Sequence, residues 1–150
     1  LAMQAKPGER IVDLRLSRSG ARAAMLVDDG QRTTLRVSGV VRGSDGVPNA
    51  LTEPILLPSS GSEDSVEWAG DTNLLVSAYA AKPDERVVPR IVSVDGTVRE
   101  LNPLGGLRGI SAGDDGAYYA ETEEFVFLLV GSSWRAQELD RGVRDLSFPD

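Results

Sequence analysis

The 150-residue sequence contains no cysteine and no histidine. Without cysteine the chain has neither disulfides nor thiolate nucleophiles, and without histidine it has no imidazole base. The two absences together also exclude most zinc ligand sets. Many classes of enzyme mechanism are therefore excluded for this sequence. The absence of cysteine does not decide the redox compartment.

Long apolar runs and positive charge are also scarce. The longest apolar runs, Phe125–Val130 and Ala23–Val27, fall far short of the ~20 residues that span a bilayer, and the segment is expected to be soluble. Lys and Arg number 16 against 23 Asp and Glu, a net charge of −7, which repels phosphate backbones and argues against a nucleic-acid partner. The opening LAMQAKPGER shows no export signal.

Alternating and short apolar segments, bounded by Gly, Asp, Pro and Ser, predict an all-β chain. Hairpin turns are expected at Asp28–Gly30, Val94–Gly96 and Asp114–Gly116, because Asp followed by Gly tolerates a positive φ. The stretch Gly43–Asp64 is expected to be an exposed connection with one edge strand. The predicted strands are Ile11–Leu16, Ala21–Val27, Thr33–Val41, Pro54–Leu57, Ser65–Trp68, Leu74–Ala80, Val87–Val94, Thr97–Leu101, Gly109–Ser111, Ala117–Glu121, Phe125–Val130 and Trp134–Leu139.

One pattern, an alternating strand followed by a turn and an apolar strand, occurs three times. LRLSRSGARAAMLV from Leu14 is matched by VEWAGDTNLLVSAY from Val66 and by LRGISAGDDGAYYA from Leu107. Leu16, Trp68 and Ile110 precede the turns and are expected to be equivalent buried residues. Repeats of roughly 40–50 residues with about four strands each are typical of β-propeller blades.

The repeat predicts a single partial β-propeller over residues 1–150, with about three four-stranded antiparallel blades. The blades span about 11–64, 65–103 and 107–140, and 143–150 begins a further blade. Three blades leave the ring open, because closed propellers use roughly four to eight. Leu26, Leu75 and Leu128 are expected to pack between blades. The open faces are expected to be covered either by a second copy, giving a homodimer, or by blades upstream of Leu1.

Acidic residues cluster at Asp114 and Asp115, with Glu121, Glu123 and Glu124 nearby. A carboxylate pair or a calcium site is one interpretation of this cluster. The spacing does not fit an EF-hand loop, and no second acidic motif converges with it. A solvated turn is the favoured interpretation.

Two glycine-containing stretches, Gly43–Gly46 and Gly106–Ser111, are candidate phosphate cradles. Neither carries the lysine-bearing P-loop pattern or opens a helix, so both are interpreted as loops. Ser17 and Ser111 have no histidine to form a triad with. A Ser–Lys pair is formally open, but the only lysines, Lys6 and Lys82, fall in predicted loops.

Tryptophan often anchors protein interfaces. Trp68 ends an alternating strand and is expected in the core. Trp134, with Arg135 beside it, begins a predicted outer strand and is the best candidate for a contact residue, although a half-buried rim position is favoured over a contact.

The segments VDLRLSRSGARAAMLV, SVEWAGDTNLLV, VSVDGTVREL and GVRDLSFPD, in this order and spacing, resemble the β-propeller portion of the actinobacterial lipoprotein LpqB family. The resemblance implies a lipid-anchored, extracytoplasmic protein with a GerMN-type domain before the propeller. It also implies an accessory role for the MtrA–MtrB two-component system, with the extracellular domain of the sensor histidine kinase as partner. The sequence shows no lipid-bearing cysteine, so it is expected to be a carboxy-terminal part. No binding residues transfer by position.

The expected function is that of a non-enzymatic protein-interaction module of an envelope lipoprotein. No catalytic residue, metal or cofactor is expected, and membrane contact is expected only through an anchor outside this segment. The alternative is a propeller that binds or hydrolyses a glycan or another small ligand through acidic central loops. Propellers host both kinds of function, so the fold does not choose between them.

Overall fold

A computed structural model of the chain describes residues 6–113 and 116–137. These residues form strands and turns, which confirms the all-β prediction, and the same ranges contain no helix of membrane-spanning length and hydrophobicity. The strands are β1 (Arg10–Leu16), β2 (Arg22–Asp28), β3 (Thr33–Arg42), β4 (Pro48–Leu51), β5 (Ile55–Leu57), β6 (Ser65–Ala69), β7 (Asn73–Ser77), β8 (Arg86–Val87), β9 (Arg90–Ser93), β10 (Val98–Glu100), β11 (Leu104–Gly105), β12 (Gly109–Ala112), β13 (Tyr118–Glu121), β14 (Val126–Val130) and β15 (Ser133–Ala136).

The strands assemble into three antiparallel sheets in chain order, as expected of propeller blades. The first blade is β1-β2-β3 with both β4 and β5 paired to β3, the second is β6-β7-β9-β10, and the third is β12-β13-β14-β15. A two-stranded ribbon of β8 and β11 stands apart from the blades. The propeller-like class with about three four-stranded blades is therefore confirmed.

Two hydrophobic cores join the blades face to face. In the first core, Leu26 and Leu35 of the first blade pack with Trp68 and Leu74 of the second. The second core lies on the other face of the second blade and contains Leu75, Val87, Ile91, Leu101, Leu104, Leu107, Ile110 and Ala120. The middle blade is thus covered on both faces, which explains why β7 is apolar without alternation.

The predicted equivalence of Leu16, Trp68 and Ile110 is wrong. Leu16 is 50% exposed, whereas Trp68 and Ile110 are 7% and 8% exposed. Ile110 is buried, but it does not occupy the position that corresponds to Trp68. Trp68 lies next to the last residue pair of its hairpin, Ala69 and Asn73. Ile110 lies three residues before Gly113, whose N–H donates to the Ala117 carbonyl and closes the hairpin. A displacement of one strand period keeps the same face, so burial survives although equivalence does not.

Strand alternation explains why Leu16 is exposed and why Leu128 is not in a core. Leu16 pairs with Ala23, on the face opposite to the core residue Ala24. Leu128 lies between Phe127 and Leu129, both of which pack on the second core. Both leucines therefore point away from the second blade, and the prediction that Leu128 packs between blades is wrong.

Proline divides the predicted strand Val87–Val94. Pro89 has no N–H to donate and cannot continue a ladder. Strand β8 ends at Val87, which pairs with Leu104 of β11, and β9 begins at Arg90. The Pro89 carbonyl still accepts a hydrogen bond from the Leu101 N–H at 2.9 Å.

The connection Gly43–Asp64 is more ordered than predicted. Besides the expected edge strand β5 it contains β4, which pairs with the end of β3, and a carboxylate, Glu63, that is only 3% exposed. The predicted further blade at 143–150 lies outside the described residues. The Asp28–Gly30 turn forms as expected, with Gly30 at φ +96° and the Asp28 carboxylate accepting the Gly30 N–H at 2.8 Å.

Candidate functional site

The first strands of the three blades border a central cleft of about 450 Å³. Strand β6 contacts both β1 and β12, and the cleft opens where these strands reach their hairpins. It is lined by Leu14, Arg15, Leu16, Arg18, Glu67, Trp68, Gly70, Ala112 and Gly113. Concave sites between repeats are where ligands are first sought in such a fold.

Two side chain to backbone hydrogen bonds fix β1 against β6, the strands whose ends line the cleft. The Val66 N–H donates to Oδ2 of Asp13 at 3.1 Å, and the Trp68 indole N–H donates to the Arg15 carbonyl at 2.9 Å. Neighbouring blades share no strand ladder, so these bonds satisfy polar groups that the ladders leave unpaired. Asp13 and Trp68 are thereby assigned structural roles.

Charge in the cleft is balanced. The Nε atom of Arg15 lies 3.4 Å from Oδ1 of Asp13 and 3.3 Å from Oε1 of Glu67, and the arginine side chain is 47% exposed. An exposed ion pair of this kind contributes little to stability. The described part of the cleft therefore presents a cation held between two carboxylates rather than the acidic centre that hydrolysis or calcium binding needs.

A group of hydrogen bonds among Ser19, Arg22 and Asp71, which we call the latch, joins the hairpins of the first and second blades. The hydroxyl and N–H of Ser19 donate to Oδ1 of Asp71 at 2.7 and 3.3 Å, and Arg22 donates to the Asp71 carbonyl. Hydrogen bonds from the hydroxyls of Ser19 and Ser17 and the charge of Arg22 lower the pKa of Asp71 below its ordinary value of 3.8. The ionised form of Asp71 is thus favoured in the folded chain.

We expect Asp71→Asn to lower the unfolding temperature at neutral pH, and to do so less in acid. A carboxyl whose pKa is lowered on folding stabilises the chain above its unfolded pKa, and that contribution is lost as the pH falls through the folded pKa. The difference from wild type should therefore shrink below about pH 4. Thermal unfolding from pH 7 to 3 measures it, with the exposed Asp84→Asn as control. A difference independent of pH would contradict the latch.

Among the described acidic residues that the sequence analysis singled out, Glu121, Glu123 and Glu124 do not line the cleft. Asp114 and Asp115 lie outside the described residues. Glu121 lies 3.9 Å from Arg108, and Glu123 and Glu124 line a different groove. Within residues 6–113 and 116–137 no group of three or more acidic side chains is placed to hold a metal ion.

Of the two candidate phosphate cradles, Gly43–Gly46 is a loop, whereas Gly106–Ser111 is a loop only up to Arg108 and then enters β12. In Gly43–Gly46, the Gly46 N–H donates to the Gly43 carbonyl at 2.9 Å and Asp45 accepts the Val47 N–H at 3.0 Å, which makes the turn between β3 and β4. Gly106–Ser111 opens no helix, and its residues from Gly109 onward belong to β12, so the loop interpretation is wrong for that half. The N–H groups of Gly43, Gly46, Gly106 and Arg108 donate to backbone carbonyls.

The two candidate serines and the two lysines lie in different surroundings. Ser17 is buried, and its hydroxyl accepts the Arg22 N–H at 3.1 Å. Ser111 is also buried, in β12. Lys82 lines a groove whose lining contains no serine among the described residues, and Lys6 is exposed ahead of β1.

Burial raises the pKa of Tyr118 to about 12, so this phenol stays protonated.

Trp68 is in the first core, as expected. Trp134 is half-buried, packs on the second core, and its indole N–H donates to the Asn102 carbonyl at 3.0 Å. Asn102 in turn donates from its side chain to Ser133 at 3.2 Å. The indole of Trp134 thus joins the second and third blades, and its neighbour Arg135 is exposed.

Sequence reasoning missed a carboxylate clamp at Glu63. Its two carboxylate oxygens accept four hydrogen bonds, from the N–H groups of Ser60, Gly61 and Ser62 and from the Ser60 hydroxyl, at 2.7 to 3.0 Å. The spacing Ser60-x-x-Glu63 is that of a capping box, which in a sequence predicts the start of a helix, but here strand β6 follows instead. The clamp orders the connection between the first and second blades.

A second groove, of about 450 Å³, opens between the β13–β14 hairpin and the loops around the β8–β11 ribbon. We call it the Phe125 groove. Phe125 is 48% exposed, and its ring centroid lies 5.8 Å from that of Phe127. The other lining residues are Ala80, Ala81, Lys82, Pro83, Leu104, Gly105, Gly106, Arg108, Thr122, Glu123 and Glu124. Nothing in the local sequence around Phe125 signals the groove, because its walls come from three segments.

Comparison with known proteins gives a family and a fold. The family model described as the lipoprotein LpqB beta-propeller domain matches residues 1–149. Nothing among the curated proteins matches. A solved structure from a study of two prolyl endopeptidases and their inter-domain dynamics is similar, with a TM-score of 0.52 and 18% identity over 85% of this chain. The match covers 20% of that structure's chain, and at this identity it supports the fold alone.

Proposed function

The chain belongs to the LpqB β-propeller family, and from this membership we propose that it is a non-enzymatic protein-interaction module of an envelope lipoprotein. The observation that carries the non-enzymatic part is that the polar groups in and next to the cleft already have structural partners. Asp13, Trp68 and Asp71 are committed to hydrogen bonds between blades, and Arg15 is held between two carboxylates. Groups with such structural roles are poorly suited to move protons or to attack a substrate.

The partner we propose is the extracellular domain of the sensor kinase of the MtrA–MtrB system, with the propeller outside the membrane on a lipid-anchored protein. The family name supports an envelope lipoprotein. The net charge of −7 favours a partner with a basic surface, because complementary charge raises association rates.

Affinity capture tests this function. The immobilised chain is expected to retain the kinase's extracellular domain saturably and to lose much of it in high salt. A thermal-shift screen with sugars and divalent ions runs beside it. A shift with one of these ligands and no retained kinase domain would favour the alternative, a propeller that binds a small ligand. No retention and no shift would remove the proposed partner.

The alternative keeps one supporting observation, the cleft itself, which has a volume suited to a small ligand. Its described lining is not acidic, because Arg15 and Arg18 accompany Glu67. Hydrolysis through acidic central loops would have to rely on Asp114 and Asp115. Hydrolase activity that vanishes in the Asp114→Asn/Asp115→Asn variant would establish it in place of the interaction role.

The outward faces of the first and third blades require a cover. Leu16 and Val130 are 50% and 41% exposed, and exposed apolar surface of this kind marks contact regions. We propose two covers, a second copy that completes the ring or further blades of a longer polypeptide. Light scattering on the chain gives a dimer for the first and a monomer for the second. Leu16→Arg is expected to split a dimer formed through this face, and a dimer that resists it would exclude the first blade from the contact.

A further inference from the structure

The Phe125 groove is a continuation of the second core to the surface. Leu104 belongs to that core, Phe127 packs against it, and both line the groove. Phe125 extends the apolar floor outward, where it is 48% exposed. A half-exposed aromatic next to an apolar floor is typical of pockets that receive an anchor side chain from a protein partner.

The walls of the groove are held in place by backbone bonds. The Ala80 N–H donates to the Leu107 carbonyl at 2.8 Å, and the Gly106 N–H donates to the Glu85 carbonyl at 2.9 Å. Gly106 has φ +71°, and a Cβ there would lie 2.7 Å from the Pro83 carbonyl oxygen. This close approach requires glycine, so on this wall of the groove the Gly106 backbone packs directly against the Pro83 carbonyl.

The opposite wall is the β13–β14 hairpin. The Thr122 N–H donates to the Phe125 carbonyl at 2.9 Å, and the Phe125 N–H donates to the Thr122 hydroxyl at 3.2 Å. The hairpin is therefore a closed turn that presents Phe125 in a fixed place. Preformed walls lower the entropy lost when a partner docks.

Charged side chains of both signs line the Phe125 groove. Glu123 and Glu124 are exposed on the hairpin wall, and the ion pairs of the described residues include neither. Lys82 and Arg108 lie among the lining residues from the other loops, where Arg108 is 3.9 Å from Glu121. On the hairpin wall, two carboxylates without an ion-pair partner among residues 6–113 and 116–137 thus lie beside the apolar floor, and they complement a basic residue next to an apolar one.

We propose that the Phe125 groove binds a peptide segment of a partner protein in which an apolar anchor residue is followed or preceded by Lys or Arg. The anchor packs on Phe125 and Phe127, and the basic residue meets Glu123 and Glu124. The inference deepens the proposed interaction role, on which it rests for taking a protein as the partner. It does not depend on which protein supplies the segment.

Selection from a random peptide library displayed on phage tests the proposal with the full chain. Enriched peptides are expected to carry an aromatic or large aliphatic residue next to Lys or Arg. Their synthetic forms should bind Phe125→Ala at least tenfold more weakly than wild type, which is about 1.4 kcal/mol. Leu56→Ala is the matched control, because Leu56 is 66% exposed on the first blade, and it should bind like wild type.

The Glu123→Lys/Glu124→Lys variant separates the groove from a fold defect. Both residues are exposed, so the unfolding temperature should stay near that of wild type. Selection on this variant should switch the preferred neighbour of the anchor from basic to acidic. Selection without enrichment, or peptides that bind Phe125→Ala and wild type equally, would overturn the groove. A positive selection beside a failed kinase capture would keep the groove and reject only the proposed kinase partner.

Discussion

Replacement of Trp68 by Ala is expected to lower the free energy of unfolding by about 3–5 kcal/mol, the range for deleting a large buried aromatic. The side chain is 7% exposed and packs in the first core beside Leu74 and Val76. Its loss leaves a cavity between two blades and also removes the donor to the Arg15 carbonyl. Urea unfolding followed by circular dichroism measures the change.

Trp68→Phe separates packing from the hydrogen bond. The phenyl ring fills much of the same space but has no N–H, so about 1 kcal/mol is expected from the lost bond, plus a smaller packing term. Leu16→Ala is the matched control at concentrations where the chain is monomeric, because Leu16 precedes a similar turn but is 50% exposed. A Trp68→Ala loss below about 1 kcal/mol, as for surface changes, would refute this account of the interface between the blades.

The second large effect is expected at Glu63. Glu63→Ala removes the acceptor of four hydrogen bonds, and each bond to a charged group contributes about 1.5–3 kcal/mol net where it is well shielded. The loop is able to recover part of this by hydration, so we expect a loss of about 2–4 kcal/mol. Chemical unfolding measures it, and protease sensitivity should rise within Ser59–Asp64.

Glu63→Gln tests whether the carboxylate is required rather than the shape. Three of the four bonds go to Oε1 and one, from the Ser60 N–H, goes to Oε2. In Glu63→Gln the amide oxygen can still accept the three bonds that go to Oε1. The NH₂ group replaces Oε2 and cannot accept the bond from the Ser60 N–H, because both groups are donors. We therefore expect about half of the Ala effect. Ser62→Ala should change little, because Ser62 is exposed and its bond to Glu63 comes from the backbone N–H, while its hydroxyl makes only a 3.4 Å contact with the Ser60 hydroxyl.

Hydrogen bonds between residues two or three apart explain the turns. At Asp29 the carboxylate accepts the N–H groups of Gln31 and Arg32, both at 2.9 Å, and these bonds lower the pKa of Asp29 below 3.8. The same arrangement occurs at Asp95, which accepts the Thr97 N–H at 2.9 Å. Such bonds join residues two or three apart, so sequence alone predicts that these acids serve turns and not a catalytic site.

The candidate sites were predicted less well. The Ser60-x-x-Glu63 spacing alone predicts the start of a helix, whereas the Glu63 carboxylate closes a turn that leads into β6. The Phe125 groove had no sequence signal, because Pro83, Leu104 and Phe125 approach one another only when the second and third blades stack. Grooves built from distant segments carry no local spacing, and periodicity cannot reveal them.

The sequence by itself determined the all-β class, the hairpins and the order of the blades, because alternation and Asp-Gly turns act over a few residues. Only the tertiary structure decided which face of each blade is covered. Leu16 and Trp68 precede similar turns, yet one is exposed and the other buried, because the second blade has a neighbour on both faces and the first has a described neighbour on one. Burial depends on what packs against a face, and a single strand's sequence does not contain that information.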